Sequence, residues 1–373
     1  MTTWSFGAVG DVFIDRPNPE RAFTASGALL RQLDLVFGNC EGAYTDNPVY
    51  PPSVGWRVVA PYANGADLEK AGFHVMSVAN NHSVDGGHAG LLDTLKLLQG
   101  QGIQTIGAGS NLSQALAPAI LERNGAKIGF IGFASVYPSG YEARAERPGL
   151  AAMKVHYWID TSYGLDSGVP PNVRSIVYPE DAALMQSLIA DLRNKVDIVV
   201  VSHHWGQYRP AYLTEYERSL ARAAIDAGAD IVLGHHHHFL RGIEVYKDKP
   251  VFYGLGHFVF DLTGKECVFG GYLRKEMGDD AIFPRPGYPL SPFPEDTRMT
   301  MVGACDFEGK KMSSIGFFPC IIDKENHANP LKVDDPRAQK VADYMASITR
   351  EAELQTTYGP VTERLGFAYA RVM

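Results

Sequence analysis

The chain has 373 residues, with 34 Lys and Arg against 42 Asp and Glu and a net charge of −8. A mildly acidic surface carries no electrostatic footprint for nucleic acid or an anionic membrane. A hydrophobic content of 45% with 20% charged residues excludes a disordered chain and supports a substantial core. No apolar run approaches the roughly 18–20 residues of a membrane span, and the opening MTTWSFGAVGDVF lacks the basic and apolar regions of a signal peptide. Cys40, Cys267, Cys305 and Cys320 form no CxxC pair, which fits a reducing compartment. The expectation is a soluble, cytoplasmic protein.

In chain order, WSFGAVG, LDLVFGN, GFHVMSVAN, VDIVVVSHH and GADIVLGHH read as buried strands, each running into polar residues at its C-terminal end. Between them GGHAGLLDTLKLLQGQG places Leu91, Leu92, Leu95 and Leu98 at helical spacing with Gly closing the end. PEDAALMQSLIADLRNK and LTEYERSLARAAIDAGAD repeat that form. Alternation of strand and helix predicts an α/β protein. Two hairpins, turning at Asn124–Gly125 and at the Lys-Asp-Lys-Pro of 247–250, make the sheets mixed. Residues 137–179 and 262–298, rich in Pro, Gly and Tyr, show no sustained periodicity. The tail reads as a hairpin (MTMVGACDF, MSSIGFFPCII), then helices near 335–352 and 361–371.

Histidine carries the chemical signal. Seven of the twelve lie between 203 and 257: His203, His204, the run His235, His236, His237, His238, and His257. In an extended segment alternate side chains share a face, so one pair of the run, 236 with 238 or 235 with 237, can reach a common metal. Other strand ends add Asp11, Asn39, Glu41, Asn80, Asn81, His82 and, three residues on, Asp85. Each alone has a structural explanation as a turn or a cap. Together they matter, because ligands of open α/β sheets gather beyond the carboxyl ends of strands. Mixed carboxylate, amide and imidazole donors suit Mn, Fe or Zn.

The segments GDVFIDR, NCEG, SVANNHSVDGG, GLLDTL, IGAGSNLSQA, RPGL, VVVSHHWGQY and IDAGADIVLGHHHHFLRGIEVYKDKPVFYGLGHFVFD resemble, in order over residues 5–261, the CapA family. That family is named for poly-γ-glutamate synthesis and lies within the calcineurin-like metallophosphoesterase superfamily. The resemblance implies a four-layer α/β/β/α sandwich of mixed sheets with a site for two divalent metal ions. It implies Asp11, Glu41, Asn81, His204, His236 and His238 as metal ligands, Glu41 bridging, and His82 as the group that protonates the leaving group, with Asp85 orienting it. The superfamily usually has Asp-x-His in the first motif, where Phe13 stands here, and Asp where Glu41 stands; CapA-like chains share both departures. His257 replaces an Asn common in CapA-like chains and is taken, with Arg57, Arg147 and Arg209, as a candidate substrate contact.

The domain expectation is a metallohydrolase unit over 1–265 with an irregular insert at 137–179, followed by an extension over 266–373 packed on it. The functional expectation is a two-metal hydrolase in which metal-activated water attacks a glutamyl-type amide or a phosphoester of a small anionic substrate. The alternative is a non-catalytic, metal-containing subunit of polymer synthesis or export. Partners are confined to a small or glutamyl-type substrate, without nucleic acid or a membrane span; homo-oligomerisation is left open by the sequence.

Overall fold

A computed structural model describes residues 3–52, 55–160, 172–208, 211–263 and 282–373. The elements used below are β1 (Thr3–Phe13), β2 (Leu35–Cys40), β3 (Val75–Ser77), α1 (Gly87–Gly100), β4 (Gln104–Ile106), β5 (Ala119–Arg123), β6 (Ala126–Ala134), β7 (Val155–Asp160) and β8 (Asn172–Val177). They continue with α2 (Pro179–Arg193), β9 (Ile198–His204), α3 (Glu215–Ala227), β10 (Ile231–His235), β11 (Ile243–Tyr246), β12 (Lys249–Phe252) and β13 (His257–Phe260). The C-terminal part holds β14 (Met299–Glu308), β15 (Lys311–Ile322), β16 (Ala328–Pro330), α4 (Pro336–Glu351), β17 (Tyr358–Arg364) and β18 (Phe367–Val372).

The five apolar runs become strands because both of their faces are covered, so continuous Val, Ile and Phe can be buried without alternation. β1 is buried at every position after Thr3, and β9 and β10 throughout. One ten-stranded sheet runs β17-β18-β15-β14-β1-β2-β3-β4, with β13 also paired to β1 and β16 to β15; a six-stranded sheet runs β11-β12-β10-β9-β6-β5. Phe6 and Phe37 of the first sheet meet Phe130, Val200 and Leu233 of the second in a core between the sheets. The outer face of the first sheet is closed by Leu91, Leu95 and Leu98 of α1. The outer face of the second is closed by Met185 and Ile189 of α2 and Leu220 and Ala224 of α3. Helix, sheet, sheet and helix therefore stack in four layers, the arrangement the resemblance implied.

Both hairpins form. Asn124 and Gly125 take φ of 49° and 80°, and Lys247 and Asp248 take 51° and 62°, the two positive values a two-residue turn needs to match strand twist. In α1 the periodicity assigns Leu92 to the core, but Leu92 is exposed and Leu97 is buried instead. Residues 361–371, expected to be helical, form the β17–β18 hairpin, turning at Leu365 and Gly366 with φ of 52° and 76°. The run FAYARV (367–372) is almost continuously buried, and its place in the sheet between β15 and β17 decides the outcome. The segment 137–179 also carries structure, since β7 and β8 pair as an antiparallel ribbon.

β1 positions the site through one irregularity. Its N-terminal half pairs antiparallel with β14 (Thr3 to Ala8), whereas Asp11 to Phe13 pair in parallel with β13. The change of partner happens at Gly10, where an added Cβ would lie 1.8 Å from the Gly256 carbonyl oxygen; only glycine tolerates that approach. Asp11 thereby lies beside His257.

The C-terminal strands are part of the main sheet, with β14 lying against β1. A buried link reinforces them: Arg16 donates from Nε and Nη2 to Asp261 at 2.7 and 2.5 Å, and Asn326 donates to the same carboxylate at 2.8 Å. Breaking a buried pair strands its partner charge. Asp261→Ala is expected to cost about 3–5 kcal/mol, read as a lower urea midpoint with an unchanged slope; a loss below about 1 kcal/mol would show that Arg16 finds solvent instead.

Candidate metal centre

Three parallel strands of one sheet and two of the other deliver side chains to one place. Asp11 lies in β1, Glu41 follows β2, Asn81 and His82 follow β3, His204 ends β9, and the His235–His238 run ends β10 and leaves it. Asp11 and Glu41 are fully buried. His238 Nδ1 is 3.1 Å from Asp11 Oδ2, and its Nε2 is 3.9 Å from Glu41 Oε1. On the other side of Glu41, His204 Nε2 is 3.6 Å from Oε1 and 2.6 Å from Asn81 Oδ1. Two donor groups result, Asp11–Glu41–His238 and Glu41–His204–His236, each with ligand atoms within 4.8 Å of one another. Glu41 belongs to both.

The electrostatics fit divalent cations. Neither Glu41 oxygen has a hydrogen-bond partner, and burial together with the Asp11 charge pushes its carboxyl well above the usual range. Burial and neighbouring imidazoles push His204 and His236 down, so both rings are neutral with lone pairs to offer. Two buried carboxylates among neutral imidazoles are costly without a compensating charge, and metal cations held by these carboxylate, amide and imidazole donors would supply it.

His82 stands at the rim. Its Nδ1 is 2.8 Å from Asp85 Oδ2, so the ring is held by its Nδ1–H, while Nε2 lies 4.0 Å from Glu41 Oε1 and accepts from Asn81 Nδ2 at 2.8 Å. Asp85 also accepts from the Val58 amide at 2.9 Å and from the Tyr141 hydroxyl at 2.8 Å. Three donors fix the carboxylate that orients His82. Tyr141→Phe removes one neutral-to-charged hydrogen bond, worth about 1.5–3 kcal/mol. It is expected to lower any His82-dependent turnover about tenfold while metal content stays at the wild-type level; unchanged turnover would show that His82 and Val58 suffice to hold Asp85.

The match to a known family covers the same residues. A family profile described as "Bacterial capsule synthesis protein PGA_cap" matches residues 5–262. The chain belongs to the PGA_cap family. The "PGA biosynthesis protein CapA" of Bacillus subtilis (strain 168) is 36% identical over 266 residues, covering 68% of this chain and 62% of that protein. The "Capsule biosynthesis protein CapA" of Bacillus anthracis is 33% identical over 196 residues, covering 52% of this chain and 42% of its own. The match thus spans less than two thirds of these curated relatives. A solved structure described as a hypothetical protein from Thermus thermophilus is 16% identical and covers 84% of this chain and 98% of that one, with a TM-score of 0.45.

In this PGA_cap chain all six ligand candidates converge, and of the two alternating histidine pairs it is 236 and 238 that appear in the donor groups. His237 turns away to Glu217, and His235 Nδ1 is 3.6 Å from Asp11 Oδ1. Phe13, in the place of the superfamily histidine, packs its ring on Tyr44 and Phe260 at 5.7 and 5.9 Å. His257 is fully buried, 4.7 Å from the Phe293 ring and 5.8 Å from that of His238, and burial with His238 beside it pushes it down to about 3. Such an enclosed neutral ring lies among the ligand-bearing strands and has no exposed surface to offer a substrate.

The two described candidate arginines are engaged with other residues. Arg57 covers the Tyr50 ring at 4.5 Å. Arg147 is bound to Glu142 at 2.9 Å and lines a cavity of about 510 Å³ with Tyr50, His88 and Tyr141. Arg209 lies outside the described residues. The sequence placed Asn39 and Asn80 among the polar strand ends without a specific role; Asn39 donates to Asp11 Oδ1 at 2.9 Å, and Asn80 donates to the Cys40 carbonyl at 2.8 Å and to Asn39 at 3.3 Å. Their position at strand ends was the available signal. Phe293, which comes from the segment without periodicity and lies tilted against His238 with ring centroids 4.8 Å apart, left none. Among the described residues no helix is long and apolar enough to cross a membrane.

Proposed function

We propose that this PGA_cap chain is a two-metal hydrolase acting on a glutamyl-type amide bond. The observation that carries the reading is Glu41 shared by two donor groups, with the His82–Asp85 pair beside them. When bound, two divalent ions supply Lewis acidity and a water of lowered pKa. The chain's own residues do the rest. Asp11, Glu41, Asn81, His204, His236 and His238 hold the ions. Asp85 keeps His82 turned so that its Nε2 faces the centre, where it carries the proton for the departing amine. The rings of Phe260 and Phe293, against His238, exclude water from the Asp11 side. The glutamyl specificity is supported by the resemblance to a family named for poly-γ-glutamate synthesis, together with relatives in Bacillus subtilis and Bacillus anthracis named for PGA and capsule biosynthesis.

The test is elemental analysis of protein purified without an added His tag, read beside assays of γ-glutamyl amides and of phosphate mono- and diesters. About two equivalents of Mn, Fe or Zn with amide turnover support the reading. Turnover of phosphate esters alone would keep the two-metal hydrolase and replace its substrate.

A second reading, a metal-containing subunit without turnover, is favoured by one observation. A relative in Mycobacterium tuberculosis, 35% identical over 210 residues, is named a polyglutamine synthesis accessory protein. Bound metal with no turnover of any substrate, in wild type and His82→Ala alike, would decide for it.

A further inference from the structure

β10 ends at His235, so the alternation that turns His236 and His238 to the carboxylates is not that of a strand. It comes from a bend in which both residues take positive φ, 98° and 59°, values side-chain-bearing residues rarely adopt and hold only when their surroundings impose them. The residue between them is anchored. His237 Nε2 donates to Glu217 Oε1 at 2.8 Å, with both side chains fully buried. Glu217 is itself fixed as the third residue of α3, accepting from the Thr214 amide at 2.7 Å and its hydroxyl at 2.6 Å in a capping box. The pair also touches the other ligand segment. Gly206 follows His204 by two residues, and a Cβ there would lie 2.3 Å from His237 Nε2 and 2.5 Å from Glu217 Oε1. One buried contact thus joins the segment of His204, the start of α3 and the histidine bend, and the His204 and His236 rings lie 4.9 Å apart.

We propose that Glu217 and His237 are positioning residues whose buried hydrogen bond holds the bend that aims His236 and His238 at the two metal positions. The inference rests on the two-metal reading above. It makes the third histidine of the run an anchor and the helix cap of α3 part of the metal-binding apparatus. Outer partners of metal ligands typically carry about 10–100-fold in metal affinity, and here one pair serves a ligand in each donor group.

The experiment is Zn²⁺ competition against a chromophoric chelator, together with the visible spectrum of the Co²⁺-loaded full chain. Glu217→Ala and His237→Ala are expected to weaken both ions about 10–100-fold and to alter the Co²⁺ bands. His237→Gln, whose amide can still donate to Glu217, is expected to recover most of the affinity. Ile225→Ala, a buried change two turns further along α3 from Glu217, serves as the stability control and should lower the melting temperature without moving the affinity. Glu217→Gln, which keeps an acceptor for the cap but not the charge, is the fallback should the alanine variants not fold. Wild-type affinity in the alanine variants, or in Glu217→Gln if only it folds, overturns the anchor; so does an equal affinity loss in Ile225→Ala. A wild-type chain that binds no Zn²⁺ or Co²⁺ would instead overturn the two-metal reading itself.

Discussion

Glu41→Gln is expected to empty both metal positions at once. Glu41 is the one side chain common to the two donor groups, and glutamine offers a single neutral oxygen where the carboxylate offers two charged ones. The loss should exceed the about 100-fold that removal of an outer partner costs, and it should fall on both ions, whereas His238→Ala should weaken chiefly the ion on the Asp11 side. The metal-free variant should be no less stable than metal-free wild type, because burial and Asp11 already disfavour the Glu41 charge. What disappears is the stabilisation by added metal, about 2.7 kcal/mol at one hundred times the dissociation constant for a single site. Metal content and melting curves with and without Zn²⁺ measure both effects. Retention of one full equivalent by Glu41→Gln would mean that Asp11, His238 and a neighbour hold an ion without the bridge.

His82→Ala separates binding from chemistry. His82 belongs to neither donor group, and its Nδ1 is committed to Asp85 at 2.8 Å, which leaves Nε2 as the one ring atom directed to the centre. Removing a positioned general acid costs about 10²–10⁴ in turnover, so the variant should keep wild-type metal content while kcat falls by that factor. The fall should be smallest for substrates with good leaving groups, since these need least protonation. An equal fall for good and poor leaving groups would assign His82 to substrate binding; a fall in metal content would make it a ligand.

The limits of the sequence show in particular residues. In α1 the helical period placed Leu91, Leu95 and Leu98 on the buried face, but period alone could not tell Leu92 from Leu97, which lie on opposite flanks of that face. The strand character of 367–372 depended on a place in the sheet between β15 and β17, which local propensity does not encode. The ribbon β7–β8 leaves Trp158, Ile159 and Ile176 exposed, so it lacks the alternation by which half-buried strands are read.

The ligand set was legible because its residues follow apolar runs, and parallel strands that start together must end together on one edge of a sheet. Local pattern in the chain was enough for the strand and helix alternation, both tight turns, the polar strand ends and the family. Packing chose which histidines of the run face Asp11 and Glu41. Alternation assumes an extended chain, and here the chain bends at His236 and His238, a conformation local preferences oppose and distant contacts impose. Packing also settled that Arg147 belongs to Glu142, that Tyr141 holds Asp85, and that the C-terminal strands enter the sheet beside β1. Each of these contacts joins residues far apart in sequence or set by loop geometry, and no local pattern records a pairing that exists only after the sheets have closed on one another.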